Sequence, residues 1–138
     1  MTKAVLLDTS VLIHDPTSMT SFGNDTEVLI PIYVIMELDV LKDTPKREKS
    51  HVAHLARQAS NLILKLQTED KVKVVSHEGG LSISSLDRAN QIRYVDLLIL
   101  QTAIHLKDEY DLTLVSRDIN LRIICESVGV NSSDYTSD

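Results

Sequence analysis

The chain reads as an α/β protein with a mostly parallel sheet and helices covering both faces. Two patterns predict it. Short apolar runs rich in Val and Leu, such as Ala4-Val5-Leu6-Leu7, alternate with longer stretches whose apolar residues recur every three or four positions. The first pattern marks buried strands and the second amphipathic helices. Strands separated in this way by helices imply βαβ crossovers, and such sheets are buried under helices on both sides.

Taken in order, residues 3–8 are a strand, SMTSFGNDT (18–26) is loop chemistry, and EVLI (27–30) is a second strand. Pro31 suits the first turn of a helix, where its missing N–H has no partner in any case. Val34, Leu38 and Leu41 give that helix an apolar stripe, with Glu37 beside it. Thr44-Pro45 signals the next helix start. Val52, Leu55, Ala56, Ala59, Leu62, Ile63 and Leu66 then predict a long amphipathic helix over 46–67. VKVVS (72–76) is a third strand, and the loop after it has its turn at Gly79-Gly80. Val95, Leu98, Ile99, Thr102, Ala103 and Leu106 mark a helix with Asp96 in its first turn. LTLVS (112–116) is the fourth strand. A last helix over about 119–128 stops at Gly129, a residue suited to the left-handed position after a helix. Residues 1–130 thus form one domain, and NSSDYTSD (131–138) is a polar tail or the start of a linker.

Composition narrows the function classes. A net charge of −6 argues against a protein that grips nucleic acid through a broad basic face. It leaves room for a nucleic-acid enzyme whose clustered acids bind a divalent cation. Cys125 is the only cysteine, so no internal disulfide forms and a reducing cytoplasm is the natural setting. No apolar run reaches the length of a membrane span, and the N-terminus lacks a signal-peptide pattern. The segment KDTPKREK, with Lys42, Lys46, Arg47 and Lys49, is basic against an acidic background. It is the candidate contact for an RNA backbone, with a solvated helix start as the plainer alternative.

The carboxylates carry most of the functional signal. In an open parallel sheet, ligands bind beyond the carboxyl ends of the strands. Asp8 follows AVLL and Asp118 follows LTLVS, so both fall at such ends. Asp96 and Glu37 lie early in helices that could face the same edge. Each has an ordinary explanation. Asp8 and Asp118 suit helix N-caps, Asp96 suits the positive end of a helix dipole, and Glu37 suits a solvated helix face. If the four converge, the cost changes the reading. Two unit charges about 4 Å apart repel by about 4 kcal/mol at an effective dielectric near 20. A divalent cation removes that repulsion, and oxygen-only ligands select Mg²⁺ or Mn²⁺ over zinc. The chemistry so supported is hydrolysis at phosphorus by an activated water.

The order AVLLDTSVLIHDP, IPIYVIMELDVLK, VDLLIL, LVSRDIN resembles the PIN domain, a fold typical of metal-dependent ribonucleases, over roughly residues 4–130. The resemblance implies a three-layer α/β/α fold, with Asp8, Glu37, Asp96 and Asp118 as catalytic acids. Asp8, Asp96 and Asp118 would hold the metal, and Ser10, Ser116 and Asn120 would be polar supports. LDTSVLIHDP and ELDVLK are most similar to the PIN domain at the N-terminus of PhoH-like ATPases. This chain contains no GxxxxGK[ST], so the ATPase half is absent from it. Leu97 and Met36 stand where that branch often has polar residues, which weakens the case for a second metal. The implied activity is endoribonucleolytic cleavage of single-stranded RNA with Mg²⁺ or Mn²⁺, leaving 5′-phosphate and 3′-hydroxyl ends. The alternative is a catalytically weak RNA-binding or scaffold module of a PhoH-like ATPase. A homo-oligomer remains open.

Other features read more plainly. His14 is expected in the loop behind the first motif, His51 and His54 as a surface pair, and Cys125 in the core. Asp8 as a phosphate acceptor is disfavoured, because Ser10 stands where haloacid-dehalogenase phosphatases need a second Asp. Receiver domains need paired acids at the end of the first strand, and Asp8 stands alone.

Overall fold

The computed structural model describes residues 1–43, 46–76 and 95–135, with backbone only for 46–50. Its centre is a five-stranded, all-parallel sheet in the order β3-β2-β1-β4-β5, with helices on both sides. The strands are β1 (Lys3–Leu7), β2 (Thr26–Pro31), β3 (Lys73–Val75), β4 (Asp111–Val115) and β5 (Asn131–Ser133). The helices are α1 (Thr9–His14), α2 (Ile32–Leu41), α3 (Lys46–Thr68), α4 (Val95–Leu106) and α5 (Ile119–Ser127), with a 3₁₀ turn at Pro16–Thr20.

Burial explains the apolar strand runs. Ala4 through Leu7 in β1 and Val28 through Pro31 in β2 are all buried, as are Leu112, Leu114 and Val115 in β4. Central strands covered on both faces have no solvent side for a polar residue. The helices supply the cover. α1, α2 and α3 pack on one another, α2 also meets α4, and α4 lies against β4. The long helix α3 turns Ala53, Ala56, Ala59, Ile63 and Leu66 inward. Every position that marked α4 in the sequence, from Val95 to Leu106, is buried.

Two local readings change. Pro31 is the last residue of β2 and the N-cap of α2 rather than a residue of its first turn. Its φ of −61° suits both settings, so the ring does not choose between them. Asn131-Ser132-Ser133, expected as polar tail, pair with β4 in the register Thr113–Asn131 to Val115–Ser133. Backbone ladders need no apolar side chains, and a short polar strand is a common way to finish a sheet edge. Val130 and Tyr135, on either side, are buried and anchor it. The Thr44-Pro45 start signal and the Gly79-Gly80 turn lie outside the described residues. Among the described residues, no helix is long and apolar enough to cross a membrane.

The strand order places the site. From β1 the chain moves one way to β2 and β3, then continues on the other side with β4 and β5. Order therefore reverses between β1 and β4, and such a switch point opens a crevice at the strand ends. The register pairs Leu7 with Val115, so Asp8 and Ser116 emerge side by side there.

The junction from α5 to β5 depends on Gly129, whose φ is +78°. The Val130 amide donates to the Cys125 carbonyl at 2.9 Å and the Gly129 amide to the Glu126 carbonyl at 3.4 Å. This is the paired closure of a Schellman turn. A Cβ at Gly129 would meet nothing closer than Lys107 Nζ at 3.5 Å, so the demand is on the backbone alone. Gly129→Ala should lower stability by about 1–2 kcal/mol, the cost of left-handed backbone for a residue with a Cβ, as read from urea unfolding.

Candidate active site

Asp8 is the first residue beyond β1 and only 4% exposed. Its extended backbone (φ −81°, ψ 157°) makes it the N-cap of α1. Oδ1 accepts the Thr9 amide at 2.8 Å. Oδ2 accepts two hydroxyls, Ser10 Oγ at 2.9 Å and Ser116 Oγ at 2.7 Å. The serines are themselves held from β4's end. Ser10 Oγ accepts the Arg117 amide at 3.0 Å, and Ser116 Oγ accepts the Asp118 amide at 2.9 Å. A compact mesh therefore ties the first residues after β1 to the first residues after β4. Ser10 and Ser116, expected as polar supports, both donate to the Asp8 carboxylate.

Asp118 is likewise an N-cap, for α5. Its Oδ1 accepts the amides of Asn120 at 2.9 Å and Leu121 at 3.3 Å. Capping and a functional role are compatible here, because one oxygen caps and the other has no hydrogen-bond partner among the described residues. Asn120 joins the mesh through its amide, and its side chain is exposed. Asp96 is the second residue of α4 and exposed. Asp8, Asp96 and Asp118 thus all sit at helix N-termini, where the dipole partly offsets their mutual repulsion.

Electrostatics shows which acids share one field. Burial pushes the Glu37 carboxyl up to about 7, reinforced by the charges of Asp8 and Asp96 and opposed by the Thr9 hydroxyl. Partial desolvation of the carboxyl lifts Asp96 to about 6 although the residue is exposed overall, reinforced by the charges of Asp8 and Asp118. Asp8 is raised mainly by burial, against the pull of Ser116, Ser10 and the Thr9 amide, and Asp118 adds to the rise. Asp8, Asp96 and Asp118 therefore lie within reach of one another's charge, and Glu37 within reach of Asp8 and Asp96. Glu37 is partly buried beside that group, not on a solvated helix face.

Thr9 is a residue that the sequence reading passed over. Its side chain faces the Glu37 carboxylate and favours the charged form. The pair falls outside hydrogen-bond geometry, so Thr9 Oγ1 stays buried without a partner among the described residues. Such an atom usually has a water or ligand to satisfy it. A Thr in the first turn beside a strand-end Asp was the available signal.

The remaining candidates lie apart from this group or outside description. Lys42 is exposed and paired with Asp39 at 2.8 Å, so its charge is partly neutralised. The side chains of Lys46, Arg47 and Lys49 lie outside the described residues. His14 occupies the last position of α1, not a loop, and its ring meets Tyr135 edge-on at 6.2 Å. His51 and His54 are exposed on α3. Cys125 is fully buried, and burial pushes its thiol up to about 11, so it is an inert core residue.

The donor set suits a hard cation in its chemistry: four carboxylates, two hydroxyls holding one of them, and an orphaned hydroxyl. Among the described residues, no three acidic, His or Cys side chains are already close enough to enclose an ion.

The family model of the PIN domain matches residues 5–136. The chain belongs to the PIN domain family. This PIN domain is 32% identical to protein PhoH2 of Thermobispora bispora over 148 aligned residues, which cover 97% of the chain and 32% of that protein. It is 32% identical to PhoH2 of Mycolicibacterium smegmatis over 96% of the chain and 32% of that protein. Against PhoH2 of Bacillus subtilis it is 30% identical, covering 100% of the chain and 34% of the relative. The chain thus spans about a third of the length of the curated relatives it matches. A solved domain of a functionally unknown protein from Methanocaldococcus jannaschii superposes with a TM-score of 0.68, covering 99% of this chain and 93% of that one. At 17% identity, that likeness is one of fold alone.

A pH dependence follows from the raised carboxyls. Glu37 and Asp96 titrate near 7 and 6 when folded, against ordinary values near 4 when unfolded. Between those limits the folded state binds more protons than the unfolded one, so stability falls as pH rises. The metal-free protein should therefore be more stable at pH 5 than at pH 7.5, and Glu37→Gln should flatten that slope. Urea midpoints at the two pH values check both outcomes. Equal midpoints for the parent would remove the shared field.

Proposed function

We propose that this PIN domain is a metal-dependent endoribonuclease that hydrolyses phosphodiester bonds in single-stranded RNA. Asp8, Asp96 and Asp118 would hold Mg²⁺ or Mn²⁺, with Glu37 as the fourth catalytic acid. The observation that carries the reading is four carboxylates sharing one field at the β1/β4 switch point, with Glu37 and Asp96 lifted to about 7 and 6. A protein gains no stability from such an arrangement alone.

The roles of the chain's own residues follow from their places. Ser10 and Ser116 fix Asp8 in one orientation, so its carboxylate presents the same edge to whatever it binds. Asp118 keeps Oδ2 available while Oδ1 stays on the α5 amides. Glu37, approaching from a separate helix, would be the carboxylate that takes a proton from the attacking water. Thr9 Oγ1 supplies a further oxygen beside it. The bound cation would neutralise the acids and activate water for in-line displacement at phosphorus. By family resemblance the products carry 5′-phosphate and 3′-hydroxyl ends. Lys42, Lys46, Arg47 and Lys49 are the proposed RNA-backbone contacts, the cytoplasm the proposed setting, and a PhoH-like ATPase region the proposed covalent partner.

A second reading draws on Leu97, which is 42% exposed beside Asp96 and adds no polar atom to the site. It takes the domain as a catalytically weak RNA-binding or scaffold module. Calorimetric titration with Mn²⁺ separates the two. Binding favours the nuclease, and a silent titration at millimolar metal favours the scaffold.

Cleavage of an unstructured RNA with Mn²⁺ is the direct assay. Asp8→Asn and Asp118→Asn should each slow it about 100-fold or more, and chelation should abolish it. Ser116→Ala, which loosens a ligand rather than removing one, should cost about 10-fold. Variants that cut as fast as the parent would overturn the site assignment.

A further inference from the structure

The loop carrying Asp118 is held from behind by residues that have no part in the proposed chemistry. Arg117 lies between Ser116 and Asp118 and makes two kinds of bond. Its amide donates to Ser10 Oγ at 3.0 Å, inside the mesh around Asp8. Its guanidinium reaches the other way and donates through Nη1 to the Tyr135 carbonyl at 3.0 Å. Tyr135 is 7% exposed and closes the circuit, with its phenol donating to Asp15 Oδ2 at 2.9 Å. Asp15 follows α1 directly and caps the 3₁₀ turn by accepting the Thr17 amide at 3.0 Å. His14 and Phe22 rest their rings on Tyr135, each at 6.2 Å. Between these contacts the Ser116 amide donates to the Ser133 carbonyl at 3.0 Å, joining the same loop to β5.

We propose that Arg117 and Tyr135 are positioning residues, a clamp through which the segment after β5 holds the Ser116–Asp118 loop in register with Asp8. The loop is fixed at two points on the Asp8 side and two on the C-terminal side. Loss of the C-terminal pair leaves Asp118 tethered to its own helix cap and the serine mesh alone. The clamp also explains why a polar edge strand is followed by a buried tyrosine. Its consequence for metal binding rests on the proposed function, whereas its effect on the loop does not.

The test uses Arg117→Ala, Arg117→Lys and Tyr135→Phe in the whole chain. Tyr135→Phe keeps the ring packing and removes the phenol's polar contacts, chiefly its bond to Asp15. Arg117→Lys keeps a cationic donor toward the Tyr135 carbonyl. Amide hydrogen exchange of the metal-free protein is read at residues 117 and 118 and, as an internal standard, at Val5 and Leu6 in β1. The clamp predicts exchange at 117 and 118 about tenfold faster in Arg117→Ala and Tyr135→Phe, with the β1 amides unchanged and Lys restoring most of the protection. Mn²⁺ affinity, read by calorimetry, should fall several-fold in the same two variants. Unchanged exchange at 117 and 118, or faster exchange spread equally through β1, would overturn the clamp. Local loss of protection in the variants, with a parent that binds no Mn²⁺, would uphold the clamp and remove the metal reading instead.

Discussion

The rest of the site depends on one buried charge, the Asp8 carboxylate at the end of the central strand. Burying an ionised carboxylate is costly unless hydrogen bonds and charge compensate it. Here one amide and two hydroxyls compensate its oxygens, and those hydroxyls are gripped in turn by the amides of Arg117 and Asp118. The carboxyl is still raised, because burial outweighs its hydrogen bonds. Each partner is fixed by the sheet: Thr9 and Ser10 by leaving β1, Ser116 by leaving β4, and both by the Leu7–Val115 register. Ordering these loops around one carboxylate determines where Asp118 falls, and the charges of Asp8 and Asp118 add to the rise that desolvation imposes on Asp96.

Local stability and electrostatic cost pull against each other in this arrangement. Asp8 and Asp118 earn their places as helix caps, a stabilising use that needs no ligand. Asp96 gains from its helix dipole, but Glu37 on α2 has neither a cap nor a dipole to offset its burial. Burial accordingly pushes its carboxyl up to about 7. The site is thus built of acids that the fold tolerates singly and that disfavour one another jointly. That joint penalty is what a divalent cation would relieve.

Much of this was legible in the sequence for identifiable reasons. Central strands such as Ala4–Leu7 must be apolar on both faces, so their runs stand out, and an acid placed directly after one marks the strand's carboxyl end. The long α3 periodicity and Gly129 are equally local signals. β5 was hidden because its stability lies in backbone pairing to β4 and in Tyr135, whose partners Asp15 and Arg117 are distant in sequence. Thr9 was hidden because its hydroxyl matters only through Glu37, on another element. The choice between cap and functional acid also could not be made from spacing, since Asp8 caps α1 while facing the other carboxylates. Only the PIN resemblance suggested that step, and the family match over residues 5–136 bears out the resemblance itself.

Carboxyl-carbon NMR titration of Glu37 and Asp96, with and without Mg²⁺, tests the central claim most directly. Midpoints near 7 and 6 are expected without metal, both falling into the ordinary carboxylate range when Mg²⁺ is added. Ordinary midpoints in the metal-free protein, or raised midpoints that Mg²⁺ leaves in place, would contradict it.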